Sequence, residues 1–388
     1  MLRDYFYSLQ SSLLYHIELF CKSQNWEIKI VFLILSITLF LSFPSYDVFK
    51  NENYINIHWK PILIKIDNPF ADLTDIYGPG SHASKINLRL TVPIIAKCFH
   101  LGIYGIVILQ FLFGICLLFA TVKLVYKITK DRITSFFASL TIGSIFPGIT
   151  SFVELRGIFD GIAISLLTFA LLFRNPIWIW LCMFLSFWTD ERAIIAASLV
   201  WLFHIFEHSH SKENKFYFST LLQTQPMSIV IAWVTYVISR CLVSVYFDLH
   251  TPTGGVGLHI LLDQVNNAPM GIWTGLEGGW VLVLFAAILL ILQRRYIWLL
   301  LFVIFSLSVI VLALSVVDIT RSMAYILPAF FFALRVLSLT ERTEDVRRYT
   351  LLACLISVLW PNYYAGGKHS IWWNYPLPIQ LVRWLFKT

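Results

Sequence analysis

Apolar runs of roughly 17 to 22 residues recur from Ile30 to near Trp360, long enough to cross a hydrocarbon core of about 30 Å. Between them fall the few charges: 13% of the 388 residues are charged and 58% are hydrophobic. A water-soluble chain has no way to bury so many separate apolar runs around one core. Trp and Tyr gather at the run ends (Tyr46, Tyr126, Trp188, Trp280, Tyr296, Trp360), the level at which amphipathic rings meet lipid headgroups. Within hydrocarbon every backbone polar group needs an internal partner, and runs of this length satisfy that as helices. The expected class is all-α, a polytopic transmembrane helical bundle.

Threading the chain gives about eleven spans, near 29–46, 101–122, 133–149, 157–173, 176–188, 193–206, 228–247, 279–293, 297–317, 322–338 and 349–361. The short pair around Trp188–Arg192 also reads as a re-entrant hairpin. Basic residues set the orientation. With the N-terminus inside, the inner loops hold Lys123, Lys127, Lys130, Arg132, Arg174, Lys212, Lys215, Arg294, Arg295, Arg342, Arg347 and Arg348. Residues 1–28 carry Leu9, Leu13, Ile17 and Phe20 on one helical stripe and no small-residue cleavage site, so they read as an interfacial segment ahead of a single membrane domain, 29–388.

The two longest outer loops are about 48–100 and 248–278. In the first, Ser81 to His100 reads as an amphipathic helix on the outer surface, with His82, Lys85 and Arg89 opposite Ile86, Leu88, Leu90 and Val92. The second, with Gly254-Gly255-Val256-Gly257 and Asn266-Asn267, is turn-rich.

In this threading the carboxylates fall mostly on the outer face. Asp47, Asp67, Asp72 and Asp75 lie in the first loop with His82; Glu154, Arg156 and Asp160 border the fourth span; Asp190, Glu191 and Arg192 are consecutive; Arg240 and Arg321 stand near Asp248 and Asp318. Loop acids such as Asp67 are ordinary solvated residues, and Asp190-Glu191-Arg192 also fits a polar turn between two helices. Asp160 and Arg240 sit inside apolar segments, where an unpaired charge costs about 2.5 kcal/mol or more, so each calls for a buried partner or a wet cavity.

Other signals exclude more than they assign. The six cysteines contain no C-x-x-C pair and read as small core residues. His204, His208 and His210 with Glu207 have partial metal-ligand spacing but sit at an inner span end, and no metal or other cofactor is indicated. The net charge of +7 is dispersed, so no nucleic-acid partner is expected, and protein partners are not identified. The glycine run lacks a Gly-Lys-Ser/Thr ending.

A short first span, a long outer loop with an acid near its start, a surface helix, and many spans with small charged outer loops together resemble the GT-C superfamily of integral membrane glycosyltransferases. That resemblance implies transfer of a sugar from a polyprenyl-phosphate carrier to an acceptor on the non-cytoplasmic side. The first outer loop then supplies an essential Asp, with Asp47 as first choice and Asp72 or Asp75 next. Where members often show an Asp-Glu pair, this chain has Ser81-His82-Ala83-Ser84-Lys85. Substrate and phosphate contacts would come from His82, Lys85, Arg89, Glu154, Arg156, Asp160, Asp190, Glu191, Arg192, Arg240 and Arg321. The implied location is the bacterial inner membrane, with the active face periplasmic or extracellular. Alternatives are a lipid-linked glycan polymerase or ligase, a transporter or flippase of lipid-linked or anionic substrate, and a noncatalytic scaffold.

Overall fold

The computed structural model describes residues 15–79, Ser81, 83–210, 218–249, 257–367 and 369–386, with only the backbone described at Asp47, His210 and Phe218. Each of the eleven apolar segments is largely helical, although 133–149 is broken at Ile145. The first is α1 (Trp26–Leu41); the helix over residues 15–22 precedes it and packs Ile17 and Phe20 against the cluster around Trp26 and Ile133, while Leu9 and Leu13 lie outside the described residues.

The first loop is mostly helical. A helical run over 52–67, with a π turn at Ile55–Trp59, closes in α2 (Lys60–Asp67); α3 (Leu73–Tyr77) and α4 (Thr91–Cys98) follow. The expected continuous surface helix from Ser81 to His100 is corrected here. Among the described residues from Ser81 only a 3-10 turn at Ser84–Ile86 precedes α4, because the Asn87 side chain accepts from Leu73 N at 2.9 Å and donates to Asp72 at 2.6 Å. Pro93, which lacks an N–H, then sits in the first turn of a new helix, where none is needed.

The bundle continues through α5 (Ile103–Thr129), α6 (Arg132–Ser144), α7 (Phe146–Val153), α8 (Asp160–Leu172), α9 (Pro176–Thr189), α10 (Arg192–His210) and α11 (Thr224–Phe247). After α12 (Leu258–Asp263) and α13 (Ala268–Leu276) come α14 (Gly279–Leu292), α15 (Tyr296–Leu314), α16 (Ile319–Met323), α17 (Leu327–Thr340) and α18 (Thr343–Leu359). An antiparallel hairpin, β1 (Tyr363–Gly366) with β2 (His369–Trp372), leads to α19 (Leu377–Phe386).

Four helical runs among the described residues are long and apolar enough to cross a membrane: α5, α11, α15 and Ile319–Thr340. The count reaches six if two bent pairs, α6 with α7 at 56° and Val265–Leu276 with α14 at 88°, are one span each. Length and composition therefore support fewer spans than the eleven expected. Part of the shortfall is helix length: α8 and α9, with 13 and 14 residues, are each only roughly 20 Å long, and α1 and α18, with 16 and 17, fall short as well.

The core centres on α17, whose Phe330, Phe331 and Phe332 are fully buried; Phe332 packs against Phe206 and Phe302 at 5.1 and 4.7 Å. A helix apolar on all sides belongs in such a position. Polar ties gather at the two ends. At one end Arg347 pairs with Asp131 at 2.7 Å, Arg335 pairs with Glu207, and Lys127 donates to Leu172 O at 2.9 Å. At the other end, where α8 begins and α9 finishes, lies a denser set of charges.

Candidate functional site

Asp160 is the first residue of α8, where the free N–H groups of a helix start favour a carboxylate. It is fully buried, and three donors converge on it. Its Oδ1 accepts from Arg192 Nη2 at 2.5 Å and from Tyr325 Oη at 3.1 Å, and its Oδ2 accepts from Arg321 Nε at 2.7 Å.

Arg192 opens α10 and is gripped from several sides. Its Nε donates to Asp190 Oδ1 at 2.8 Å, Nη2 to Asp190 Oδ2 at 2.7 Å, and Nη1 to Ser322 Oγ at 3.0 Å. Asp190 Oδ1 also accepts from Arg192 N at 3.0 Å, the local turn expected of an Asp beside a helix start. From the first loop, Arg89 reaches Asp190 at 2.8 Å and Glu191 at 3.6 Å. Arg321 donates to Asp318 Oδ2 at 2.6 Å. Three guanidinium groups are thus interleaved with four carboxylates, so each buried charge has an opposite neighbour, the condition under which buried ions are tolerated.

A second pair stands beside this relay. Arg156 holds Glu154 by two parallel bonds, Nε to Oε1 at 2.8 Å and Nη2 to Oε2 at 2.5 Å, the planar fork that arginine makes with a carboxylate. Its guanidinium lies 5.7 Å from the Tyr364 ring and 5.9 Å from the Trp373 ring. The first loop lies against the relay, through Arg89 on Asp190. Trp59 Nε1 donates to Leu155 O and Thr91 Oγ1 to Leu185 O, both at 2.8 Å, fastening that loop.

The expected site residues divide clearly. Arg89, Asp160, Asp190, Glu191, Arg192 and Arg321 form one connected set, with Glu154 and Arg156 beside it. Arg240 is at its edge, donating to Tyr236 Oη at 2.5 Å, while the Tyr236 ring packs on Phe187 and Trp188. Lys85 is partly exposed on the Ser84–Ile86 turn and is not in the relay. Asp72 is a helix cap, accepting from Thr74 N at 2.6 Å, and Asp75 is exposed on α3. Asp47 has its backbone in the 3-10 turn Tyr46–Lys50, but its side chain, like the whole of His82, lies outside the described residues.

Tyr325, Ser322 and Tyr364 were not singled out by sequence. Ser322 and Tyr325 follow Arg321 by one and four residues, a pattern legible only once Arg321 is known to face inward. Tyr364 had a clearer signal, an aromatic run interrupted by Gly366-Gly367, which is how a hairpin reads.

No family model, curated protein or solved structure matches the chain.

Among the described residues no group of three or more His, Cys, Asp or Glu is placed to hold a metal ion. His204 Nε2 instead donates to Ala170 O at 2.9 Å, and His208 meets Gln225 Oε1 at 2.8 Å. The chemistry at the relay is that of fixed, permanently charged donors in a medium where they act strongly. Arg89 Nε is buried without a hydrogen-bond partner, a donor still able to take an acceptor. Beside it, a cavity of about 10 Å³ between Ile62, Lys65, Arg89 and Phe159 has room for about one water.

Proposed function

We propose that the chain is an integral membrane glycosyltransferase, similar to the GT-C superfamily, that moves a sugar from a polyprenyl-phosphate carrier to an acceptor on the non-cytoplasmic face. In this reading the shorter helices complete a bundle of about eleven spans with the N-terminus inside, in a bacterial inner membrane. The observation that carries the reading is the convergence of Arg89, Arg192 and Arg321 around Asp160 and Asp190 beneath the first loop. Guanidinium groups held by buried carboxylates are preorganised for charge that grows on a departing phosphate. Asp160, already engaged by three donors, anchors the arginines; the proton from the acceptor hydroxyl goes to a first-loop acid, Asp47 by the resemblance. The carrier phosphate is far larger than the cavity beside Arg89, so its entry requires α4 and the loop before it to lift from α9.

The test is release of free polyprenyl phosphate from a labelled polyprenyl-phosphate sugar by the purified protein in lipid. Turnover lost in Arg321→Gln with carrier binding weakened supports the reading. Absence of turnover with every carrier sugar and acceptor tried in a folded wild-type protein removes it.

A transporter of anionic substrate is the second reading, favoured by the two sharply bent helix pairs, since discontinuous helices build transporter sites. Movement of a lipid-linked or anionic substrate across proteoliposomes without bond cleavage would decide for it.

A further inference from the structure

A separate cavity of about 140 Å³ opens at the same end of the bundle, among the end of α1, the α6–α7 break, the end of α18 and the hairpin. It does not share the relay's side of the hairpin. Trp372 pairs with Tyr363 in the β ladder, so its side chain and that of Tyr364 leave opposite faces. Tyr364 turns toward Arg156, and Trp372 lines the cavity.

The lining is distinctive in what it lacks. Leu41, Ser144, Ser357, Trp360, Asn362 and Trp372 are its main members, and no lining residue is charged. Hydroxyl and amide oxygens are present, and two indoles supply flat apolar surface. Trp372 Nε1 is buried without a hydrogen-bond partner. Behind the lining residues two further donors are in the same condition, although neither lines the cavity itself. Trp273, whose ring meets Trp360 edge-on at 5.4 Å, leaves its Nε1 unpartnered, and Asn374, only 8% exposed, leaves Nδ2 unpartnered. Buried donors without acceptors are uncommon, because each forfeits its hydration.

An occupant suited to these walls offers oxygen acceptors, hydroxyl donors and an apolar face, and carries no charge. A phosphate or carboxylate finds no cation among the lining residues, and an acyl chain leaves the polar groups unserved. A pyranose ring meets every requirement, with hydroxyls around its rim and C–H groups on its faces to lie against indole. At about 140 Å³ the cavity is well below drug-sized pockets, so one ring fits rather than an extended glycan. We infer that this cavity binds a single ring of a neutral saccharide. That the ring belongs to the acceptor rests on the proposed transferase reading; the binding itself does not.

The test uses the full chain in detergent. Methyl glycosides of glucose, galactose, mannose and N-acetylglucosamine are titrated by tryptophan fluorescence and by saturation-transfer NMR, with glucose 1-phosphate as the anionic control. At least one neutral glycoside should saturate in the millimolar range and the anion should not. Trp372→Phe, which removes one donor and keeps most of the ring, should weaken binding about fivefold, and Val358→Trp, which fills the cavity, should abolish it. Circular dichroism confirms that each variant is folded, and Trp372→Phe alone suffices if Val358→Trp is not. No saturable binding of any of the four by folded wild type, undiminished binding in Trp372→Phe, or equal binding of the anion overturns the inference. Glycoside binding without transfer counts against the transferase alone; transfer without glycoside binding counts against this cavity alone.

Discussion

Arg89 of the first loop donates to Asp190, at the turn between α9 and α10, across 2.8 Å. The contact couples a surface segment to the buried relay, because the same carboxylate holds Arg192. Removing Arg89 leaves Asp190 still paired, so the cost is below the roughly 3–5 kcal/mol of a fully broken buried pair. Arg89→Ala should therefore stay folded while its first loop becomes more open. Limited proteolysis between Asp67 and Arg89 reads this directly, and cutting at the wild-type rate would show that the contact does not hold the loop.

Asp160 is a different case. It is the shared acceptor of Arg192 and Arg321, so Asp160→Asn leaves two buried guanidinium groups facing each other with less compensation. The expected loss of stability is about 3–5 kcal/mol, and any transfer activity should disappear with it. Asp160→Asn combined with Arg321→Met should recover part of the stability and none of the activity. A double variant no more stable than Asp160→Asn would mean that the two residues are not energetically coupled.

How much of this was written in the sequence depends on the type of signal. Run length and charge scarcity located the apolar segments as helical, because apolar periodicity is local, but not the break at Ile145. Asp160 was marked as needing a partner by the cost of a lone carboxylate in an apolar helix, and Asp190-Glu191-Arg192 by its contiguity. The partners themselves, Arg192 and Arg321 on Asp160, are set by how α8, α10 and α16 cross, which no local pattern encodes. The surface helix was misread because residues 81–100 do have helical spacing. The Asn87 side chain, by bonding to Leu73 N and Asp72, draws the backbone into a turn that periodicity does not register. The span count was less legible, because the apolar character of α8 and α9 conceals their shortness: about eleven were expected where length and composition support four to six.

Gly161 follows Asp160 and lies against α7. A Cβ at this position would come within 2.1 Å of Ser151 Oγ and 2.8 Å of Ser151 Cα, so backbone as well as side chain would have to move. Gly161→Ala should push the start of α8 off α7 and carry Asp160 out of reach of its arginines. The expected penalty is about 1–3 kcal/mol, larger than the benefit of alanine in a helix. A variant with wild-type or higher melting temperature would show that the α7–α8 contact yields easily.

Lys65 supplies a pH signature. Fully buried beneath the first loop, it donates to Asn87 O at 2.7 Å and Ala71 O at 3.3 Å, and burial pushes its ammonium down to about 8 despite the nearby Asp72 carboxylate. In the unfolded chain the group titrates near 10.4. Between those values the unfolded state holds the extra proton, so stability should rise with pH from about 8 toward 10.4, by at most about 1.4 kcal/mol per unit. Below pH 8 both states are protonated and Lys65 contributes no slope. Hydrogen exchange in residues 65–89, compared between wild type and Lys65→Met, isolates the effect from other groups that titrate in the window. Parallel pH profiles in the two proteins would exclude Lys65 as its source.

On the proposed transferase reading the acceptor hydroxyl needs a base, and the three first-loop candidates separate by what holds them. Asp72 is committed to structure: its Oδ1 accepts from Thr74 N and from Asn87 Nδ2, both at 2.6 Å. Asp72→Asn should act through stability, at about 0.5–2 kcal/mol for an impaired cap, with turnover of the folded fraction near normal. Asp75 is exposed on the short α3, a poor mount for a group that must stay within hydrogen-bond reach of an acceptor hydroxyl. Asp47 has a firmer support. Its turn follows Ser42, which accepts from Asn362 Nδ2 at 2.5 Å, and Phe49 in the same turn packs on Trp59 and Tyr104 at 6.1 and 5.8 Å. Asp47→Asn preserves shape and removes proton-accepting power, so turnover should fall about a hundredfold or more with protein level and carrier binding intact. Near-normal transfer by Asp47→Asn, with transfer lost in a fully stable Asp75→Asn, would move the base to α3.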